Sequence, residues 1–307
     1  MDILMNRATK GYILGAIAAV SYGTNPLFAV PLYRMGLNTG SVLFYRYSIA
    51  VIILGIVMLC KRHSFRLTGR RLPLMIIEGV MFALSSVLLF EAYRYMDVGL
   101  ASTLLFVEPV FIALILWIFY RQRINMLTAG SIVVCMAGIF LLSDPGPGAF
   151  VTFEGIILVM LASLAYAVYM VLINKTSLQR LHGTTITFYS LLFGLSVFVV
   201  YLDGLTELQP VPLNHIGIVC VAGLSIFPTI VSLMTVAVSV QLIGSVSVSI
   251  LGALEPITGV FFGVALFDEH LTFKACCGIV LILSSVLMLV CAPVILKIYR
   301  KRIHSKD

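Results

Sequence analysis

The sequence predicts an all-α polytopic membrane protein, with ten transmembrane helices in two inverted five-helix repeats. Three observations carry that prediction: an apolar composition, continuous apolar runs of helix length, and a second half that repeats the first with its loop charges exchanged. Of the 307 residues, 61% are hydrophobic and 11% charged, and the mean hydropathy is +1.10, whereas an ordinary soluble domain is about 25% charged. A water-soluble fold is excluded. Ten crossings of ~20 residues use roughly 200 residues, so the remainder holds no separate soluble domain. An outer-membrane barrel would alternate polar and apolar residues along short strands, and these runs are continuous.

Windows of about 19 residues place spans near 11–31, 40–60, 72–95, 99–119, 126–143, 153–173, 184–202, 213–238, 243–266 and 272–295. The first run is too long for the apolar part of a signal peptide and no small-residue cleavage pattern follows it, so it is expected to remain as an anchor. Span 1 carries Tyr22, Asn25 and the helix-breaking Pro26, and span 2 holds Arg46. Span 3 runs from Glu78 near its inner end to Glu91 near its outer end, through Phe82, Ser85, Ser86 and Leu89. Spans 4 and 9 carry Glu108-Pro109 and Glu255-Pro256, the only Glu-Pro steps in the chain. Span 6 places Tyr166 and Tyr169 three residues apart. The alternating Ser245, Ser247 and Ser249 at the start of span 9 fall on several faces of a helix, which reads as a small-residue packing surface.

The halves, 1–148 and 149–307, keep a nearly constant register. Tyr22 falls on Tyr166, Phe44-Tyr45 on Phe188-Tyr189 and Gly79 on Gly223 at a shift of 144, and the Glu-Pro steps match at 147. Five spans per half is an odd number, so the second copy is expected upside down. The loops agree: Lys61, Arg62, Arg66, Arg70 and Arg71 after span 2 correspond to Asp203 and Glu207 after span 7, and Arg121 and Arg123 to Asp268 and Glu269. With the N-terminus inside, sixteen of the 20 Lys and Arg residues face the cytoplasm and three face outward. Both termini, including the basic C-terminal tail, are therefore expected in the cytoplasm, with the chain in the plasma (inner) membrane. The net charge of +7 then reflects basic loops against anionic lipid rather than nucleic-acid binding.

The chain from about 11 to 295 resembles the EamA family of the drug/metabolite transporter superfamily. The resemblance rests on the five-plus-five spans, Arg46 in FYRYSIA, the prolines of LLFVEPVF and LGALEPITG, the FDEHLT turn and the last span KACCGIVLILSSVLML. It implies an inverted-repeat transporter with a central cavity lined mainly by spans 1, 3, 4, 6, 8 and 9, commonly exporting amino acids or other small metabolites. YRQRINM after span 4 departs from the pattern by lacking the acidic residue.

Inverted repeats suit alternating access, because two halves can rock about one central site. The candidate substrate-binding residues are Tyr22, Asn25, Phe82, Ser86, Glu108, Tyr166, Tyr169 and Glu255. An ionisable group in a span needs a partner, a wet cavity or a function. Glu108 and Glu255 lie near mid-membrane, where a carboxyl group could exchange a proton for a cationic or amine substrate. The competing reading is a hydrogen bond to a carbonyl freed by the following proline. The i, i+3 pairs Tyr22/Asn25 and Tyr166/Tyr169 each share a helix face and offer stacking, cation–π contact and hydrogen bonding. Arg46, ~9 Å deep in span 2, is expected to bind a substrate carboxylate, to form a structural ion pair or to snorkel to the interface. Glu78 and Glu91 read as structural. No cofactor and no metal site is expected: the five histidines, His63, His182, His215, His270 and His304, lie at loops or span ends, and the six cysteines form no CxxC pair. An enzyme lacks a nucleophile with a base, and no phosphate loop supports ATP-driven transport. Two transport readings remain, export of amino acids or similar metabolites and proton-coupled export of amines, beside a non-transport receptor or structural protein. The expected partners are a small-molecule substrate, membrane lipid and, in the second reading, a proton; the sequence leaves the oligomeric state open.

Overall fold

Hydrocarbon offers no hydrogen-bond partner to backbone N–H and C=O groups, so an apolar chain crossing it must satisfy them internally. In the computed structural model, which describes residues 2–67, 69–92, 94–96, 101, 104–122, 124–142, 152–212, 214–255, 257–258, 261–262, 273–274 and 276–288, the chain does this with helices, and no strand occurs among the described residues. The helices are α1 (Asp2–Gly23), α2 (Asn25–Arg34), α3 (Thr39–Cys60), α4 (Arg71–Ala92), α5 (Glu108–Tyr120) and α6 (Met126–Leu142). They continue as α7 (Phe153–Lys175), α8 (Gly183–Tyr201), α9 (His215–Ser225), α10 (Ser232–Ile243), α11 (Ser245–Gly252) and α12 (Cys276–Met288). Among the described residues, six helical stretches are long and apolar enough to cross a membrane: Arg7–Arg34, Thr39–Cys60, Arg71–Ala92, Phe153–Lys175, Gly183–Tyr201 and His215–Ile243. Shorter apolar helices cover Glu108–Tyr120, Met126–Leu141 and Cys276–Met288. Arg123, Pro256, the FDEHLT turn and the basic tail lie outside the described residues.

Four spans that hydropathy reads as continuous are interrupted among the described residues: span 4 at Phe106 and Val107, just before Glu108, span 9 at Ala253, just before Glu255, and spans 1 and 8 at prolines. In span 1 the helix stops at Gly23 and restarts at Asn25, because Pro26 has no N–H to donate to the carbonyl four residues back. Thr24 closes the break by donating its hydroxyl to the Ser21 carbonyl at 2.7 Å. In span 8 a π-helical turn, Ile226–Val231, separates α9 from α10 around Pro228. The Thr229 hydroxyl donates to the Leu224 carbonyl, the acceptor that Pro228 leaves open, at 2.8 Å.

The halves pack reciprocally. Span 1 lies along span 8 as span 3 lies along span 6, span 4 packs on span 6 as span 9 packs on span 1, and span 2 packs on its own counterpart, span 7. Span 1 and span 8 run antiparallel, since Ser239 donates to the Gly11 carbonyl at 2.7 Å and Ser232 to the Ala18 carbonyl at 3.0 Å. Small residues permit these approaches. A Cβ at Gly79 would stand 2.7 Å from the Ser190 carbonyl oxygen, so α4 and α8 nearly touch by their backbones. Beside that contact the buried Glu78 accepts a 2.7 Å hydrogen bond from Ser190. Glu91 accepts from the Tyr201 hydroxyl at 2.7 Å and pairs with Arg94 at 3.2 Å. Both glutamates thus have the structural partners expected of them.

The two ends of the bundle differ in charge. At one end lie the exposed Arg7, Lys10, Lys61, Arg62, Arg66, Arg70, Lys175 and Arg180, with His63 stacked on His182 at 4.8 Å and Tyr189 donating to the Phe65 carbonyl. At the other lie Glu154, Asp203 and Glu207, where the Asn38 amide donates to the Glu207 carbonyl at 3.0 Å and the Asn38 N–H to Gln209.

Candidate functional site

The breaks in spans 1 and 8 pack against each other, with Phe28 stacked on Phe227 at 5.9 Å, beside a central cleft with two lobes. The inner lobe, about 70 Å³, is lined from six spans, among them Tyr22 of span 1, Phe82, Ser85 and Ser86 of span 3, Glu108 of span 4 and Tyr166 of span 6. Span 8 adds Ser232 and Val236, and span 9 adds Val248, Gly252 and Glu255. The outer lobe, about 280 Å³, extends toward the Asn38 end and adds Asn25, Tyr33 and Arg46. Tyr22, Ser86, Leu89, Leu105, Phe106 and Glu255 line both lobes, so the cleft is continuous. Its lining by spans 1, 3, 4, 6, 8 and 9 agrees with what the family resemblance implies, with span 2 joining at the outer lobe through Arg46.

Glu108 opens α5 and is 7% exposed. A Cβ built on Gly252 would lie 4.0 Å from its Oε1, so the side chain reaches across toward α11. Glu255 faces the same inner lobe and also borders the outer one beside Arg46. The cleft therefore gathers two carboxyl groups and one guanidinium in a largely apolar and aromatic wall that also carries Ser85, Ser86, Ser232 and Asn25.

Most of the residues singled out from sequence meet here. Tyr22, Phe82, Ser86, Glu108, Tyr166 and Glu255 line the inner lobe, and Asn25 the outer. Tyr169 is the exception. It is 2% exposed and packs at 4.9 Å from Phe82 and 5.3 Å from Tyr166, so it supports the cleft wall from behind. Residues three apart on a helix are rotated by about 60°, enough to send Tyr166 to the cleft and Tyr169 into the core.

Among the described residues, Arg46 lacks the structural ion pair that is one of its expected roles. It is 3% exposed, and the only ion pair among the described residues is Arg94 with Glu91. Its Nη2 donates to the Pro228 carbonyl at 3.0 Å, its Nε donates to the Thr229 hydroxyl, and its guanidinium carbon lies 5.3 Å from the Tyr22 ring centroid. A proline-disrupted backbone, not a carboxylate, anchors this arginine. Pro228 and Thr229 were not among the residues chosen from sequence. The available signal was a proline inside an otherwise uninterrupted apolar run, the same signal that marks Asn25.

The comparisons agree with this geometry. Residues 9–144 and 153–291 each match the EamA-like transporter family, one match per half. An uncharacterized transporter of Clostridium kluyveri is 23% identical over 89% of this chain and 91% of its own length. The uncharacterized transporter YvbV of Bacillus subtilis is 24% identical over 91% of this chain and 90% of its own. One solved crystal structure superposes with a TM-score of 0.78 at 14% identity, covering 91% of this chain and 96% of that one, which shows the shared fold alone. Two family matches, full-length transporter relatives, and a cleft lined from both halves converge on one assignment: the chain belongs to the EamA-like transporter family, within the drug/metabolite transporter superfamily.

Proposed function

We propose that the protein is a secondary transporter that exports amino acids or similar small metabolites by alternating access around the central cleft. In this reading it crosses the plasma membrane ten times as two inverted five-helix repeats, 1–148 and 149–307, with both termini in the cytoplasm. The observation that carries the substrate class is the placement of Arg46 and Glu255 on one lobe. Arginine has five N–H donors, and the bonds to Pro228 and Thr229 use two of them, leaving others for a substrate carboxylate. Glu255, Glu108 and the Tyr22 ring then suit the ammonium end. The reciprocal antiparallel packing of the halves supports rocking about this site.

The test is a counterflow assay on reconstituted protein with a panel of amino acids and amines. Glu108→Gln and Glu255→Gln are expected to cut transport at least about tenfold, the loss of a charge-assisted contact, while Glu78→Gln leaves it near wild type. Equal activity of all four proteins, with and without a pH gradient, refutes the site. A second reading, proton-coupled export of amines, is favoured by the excess of carboxyl groups over guanidinium in the cleft. The readings separate at Arg46→Gln, which is expected to abolish amino-acid export and to spare amine export.

A further inference from the structure

A second polar cavity of about 140 Å³ lies at the basic end of the bundle and shares no lining residue with the central cleft. Its polar lining is Gln122, Asn125, Thr128, Asn174, Ser245 and Ser247, with no acidic residue. Ser245 is 1% exposed, and its Oγ has no hydrogen-bond partner among the described residues. It begins α11, whose N-cap is Gly244 at φ +85° with no side-chain cap. The first N–H groups of a helix lack intrahelical partners, and here no capping side chain competes for them. The neighbouring side chains add donors. Asn125 spends its Oδ1 on the Thr128 N–H at 2.7 Å, which leaves its NH₂ group, and Asn174 uses its Nδ2 for one bond to the Val240 carbonyl. The exposed Arg121 and Lys175 adjoin this lining in sequence, at Gln122 and Asn174. A donor-rich cavity at an uncapped helix N-terminus, in a basic surround, has the chemistry of an anion site.

We propose that this cavity binds a small anion, either a free halide or the carboxylate of a small acid, held by the Ser245 hydroxyl and the N-terminus of α11. The proposal does not depend on the central cleft transporting anything, because it is read at equilibrium. The experiment follows thermal unfolding of the purified full chain in detergent while sodium acetate or sodium bromide replaces sodium morpholinoethanesulfonate, a bulky anion without a carboxylate, at constant ionic strength and pH. A saturable rise in Tm is expected. A rise with acetate alone assigns the site to carboxylates, a rise with bromide alone to halides, and a rise with both to small anions generally. Ser245→Ala is expected to raise the half-saturating concentration at least tenfold, and Asn174→Asp to abolish the response. Ser245→Thr retains it, as does Ser249→Ala, whose hydroxyl is already bonded to the Val246 carbonyl at 3.0 Å. Curves that match the sulfonate reference with both anions mean that the cavity takes water only and overturn the proposal. So does Ser245→Ala titrating like wild type.

Discussion

Arg46 ties span 2 to the broken span 8, and a double-mutant cycle with Thr229 measures that tie. Removing Arg46 alone gives an ambiguous sign. Arg46→Met loses two hydrogen bonds and the contact with Tyr22, yet it also removes the cost of burying a charge that no carboxylate among the described residues pairs with in an ion pair. The cycle of Arg46→Met and Thr229→Val cancels that cost, because the charge is absent from both arms that lack Arg46. What remains is the Nε to Oγ1 bond. Bonds to charged groups contribute about 1.5–3 kcal/mol in soluble proteins, but bonds between helices in membranes average about 0.6 and reach about 1.7 kcal/mol. The buried, charge-assisted geometry puts the expected coupling in the upper part of that membrane range, about 1–1.7 kcal/mol. At about 2.1 cal/mol/K per residue, a chain of 307 residues has an unfolding entropy near 0.6 kcal/mol/K, so the coupling corresponds to about 2–3 °C of non-additivity in Tm. The assay is thermal unfolding of the four purified proteins in one detergent. Additive shifts, with the double mutant equal to the sum of the singles, refute the tie.

Two further outcomes follow from packing and charge. Gly79→Ala forces a Cβ to within 2.7 Å of the Ser190 carbonyl, whereas Gly55→Ala meets only the Phe188 ring at 3.4 Å. Overpacking against backbone costs about 1–3 kcal/mol, so Gly79→Ala is expected to lower Tm and Gly55→Ala to leave it nearly unchanged; equal shifts would falsify the close approach. Orientation is tested with single cysteines in a cysteine-free background. A membrane-impermeant maleimide added to intact cells is expected to label Asp203→Cys and to spare Arg62→Cys, and the reverse pattern overturns the cytoplasmic placement of the basic end.

Elements whose apolar run is uninterrupted were legible from the sequence almost to the residue. Spans expected near 40–60, 72–95, 153–173 and 184–202 appear as Thr39–Cys60, Arg71–Ala92, Phe153–Lys175 and Gly183–Tyr201. Spans 1 and 8 were legible in extent but not in shape, because a proline changes the backbone hydrogen bonding without lowering hydropathy. The same distinction governs the site. Glu108, Glu255 and Arg46 stand out because a charge in an apolar run is costly wherever it points, and all three border the cleft. The partners of Arg46 were not legible, since they are a carbonyl and a hydroxyl more than 180 residues away, and a carbonyl leaves no mark in the sequence. The repeat narrows this gap. At the shift of 144 that relates the halves, Arg46 corresponds to Ser190. Arg46 ties span 2 to span 8 through Pro228 and Thr229, and Ser190 ties span 7 to span 3 through Glu78. Span 7 is the counterpart of span 2 and span 3 that of span 8, so one interface of the fold carries a polar tie at the same helical position in both copies. The Arg46 tie borders the cleft beside Glu255, while the Ser190 tie is buried away from it. That asymmetry separates a structural bond from one a substrate can reach, and it is why Glu78→Gln serves as the control for Glu255→Gln.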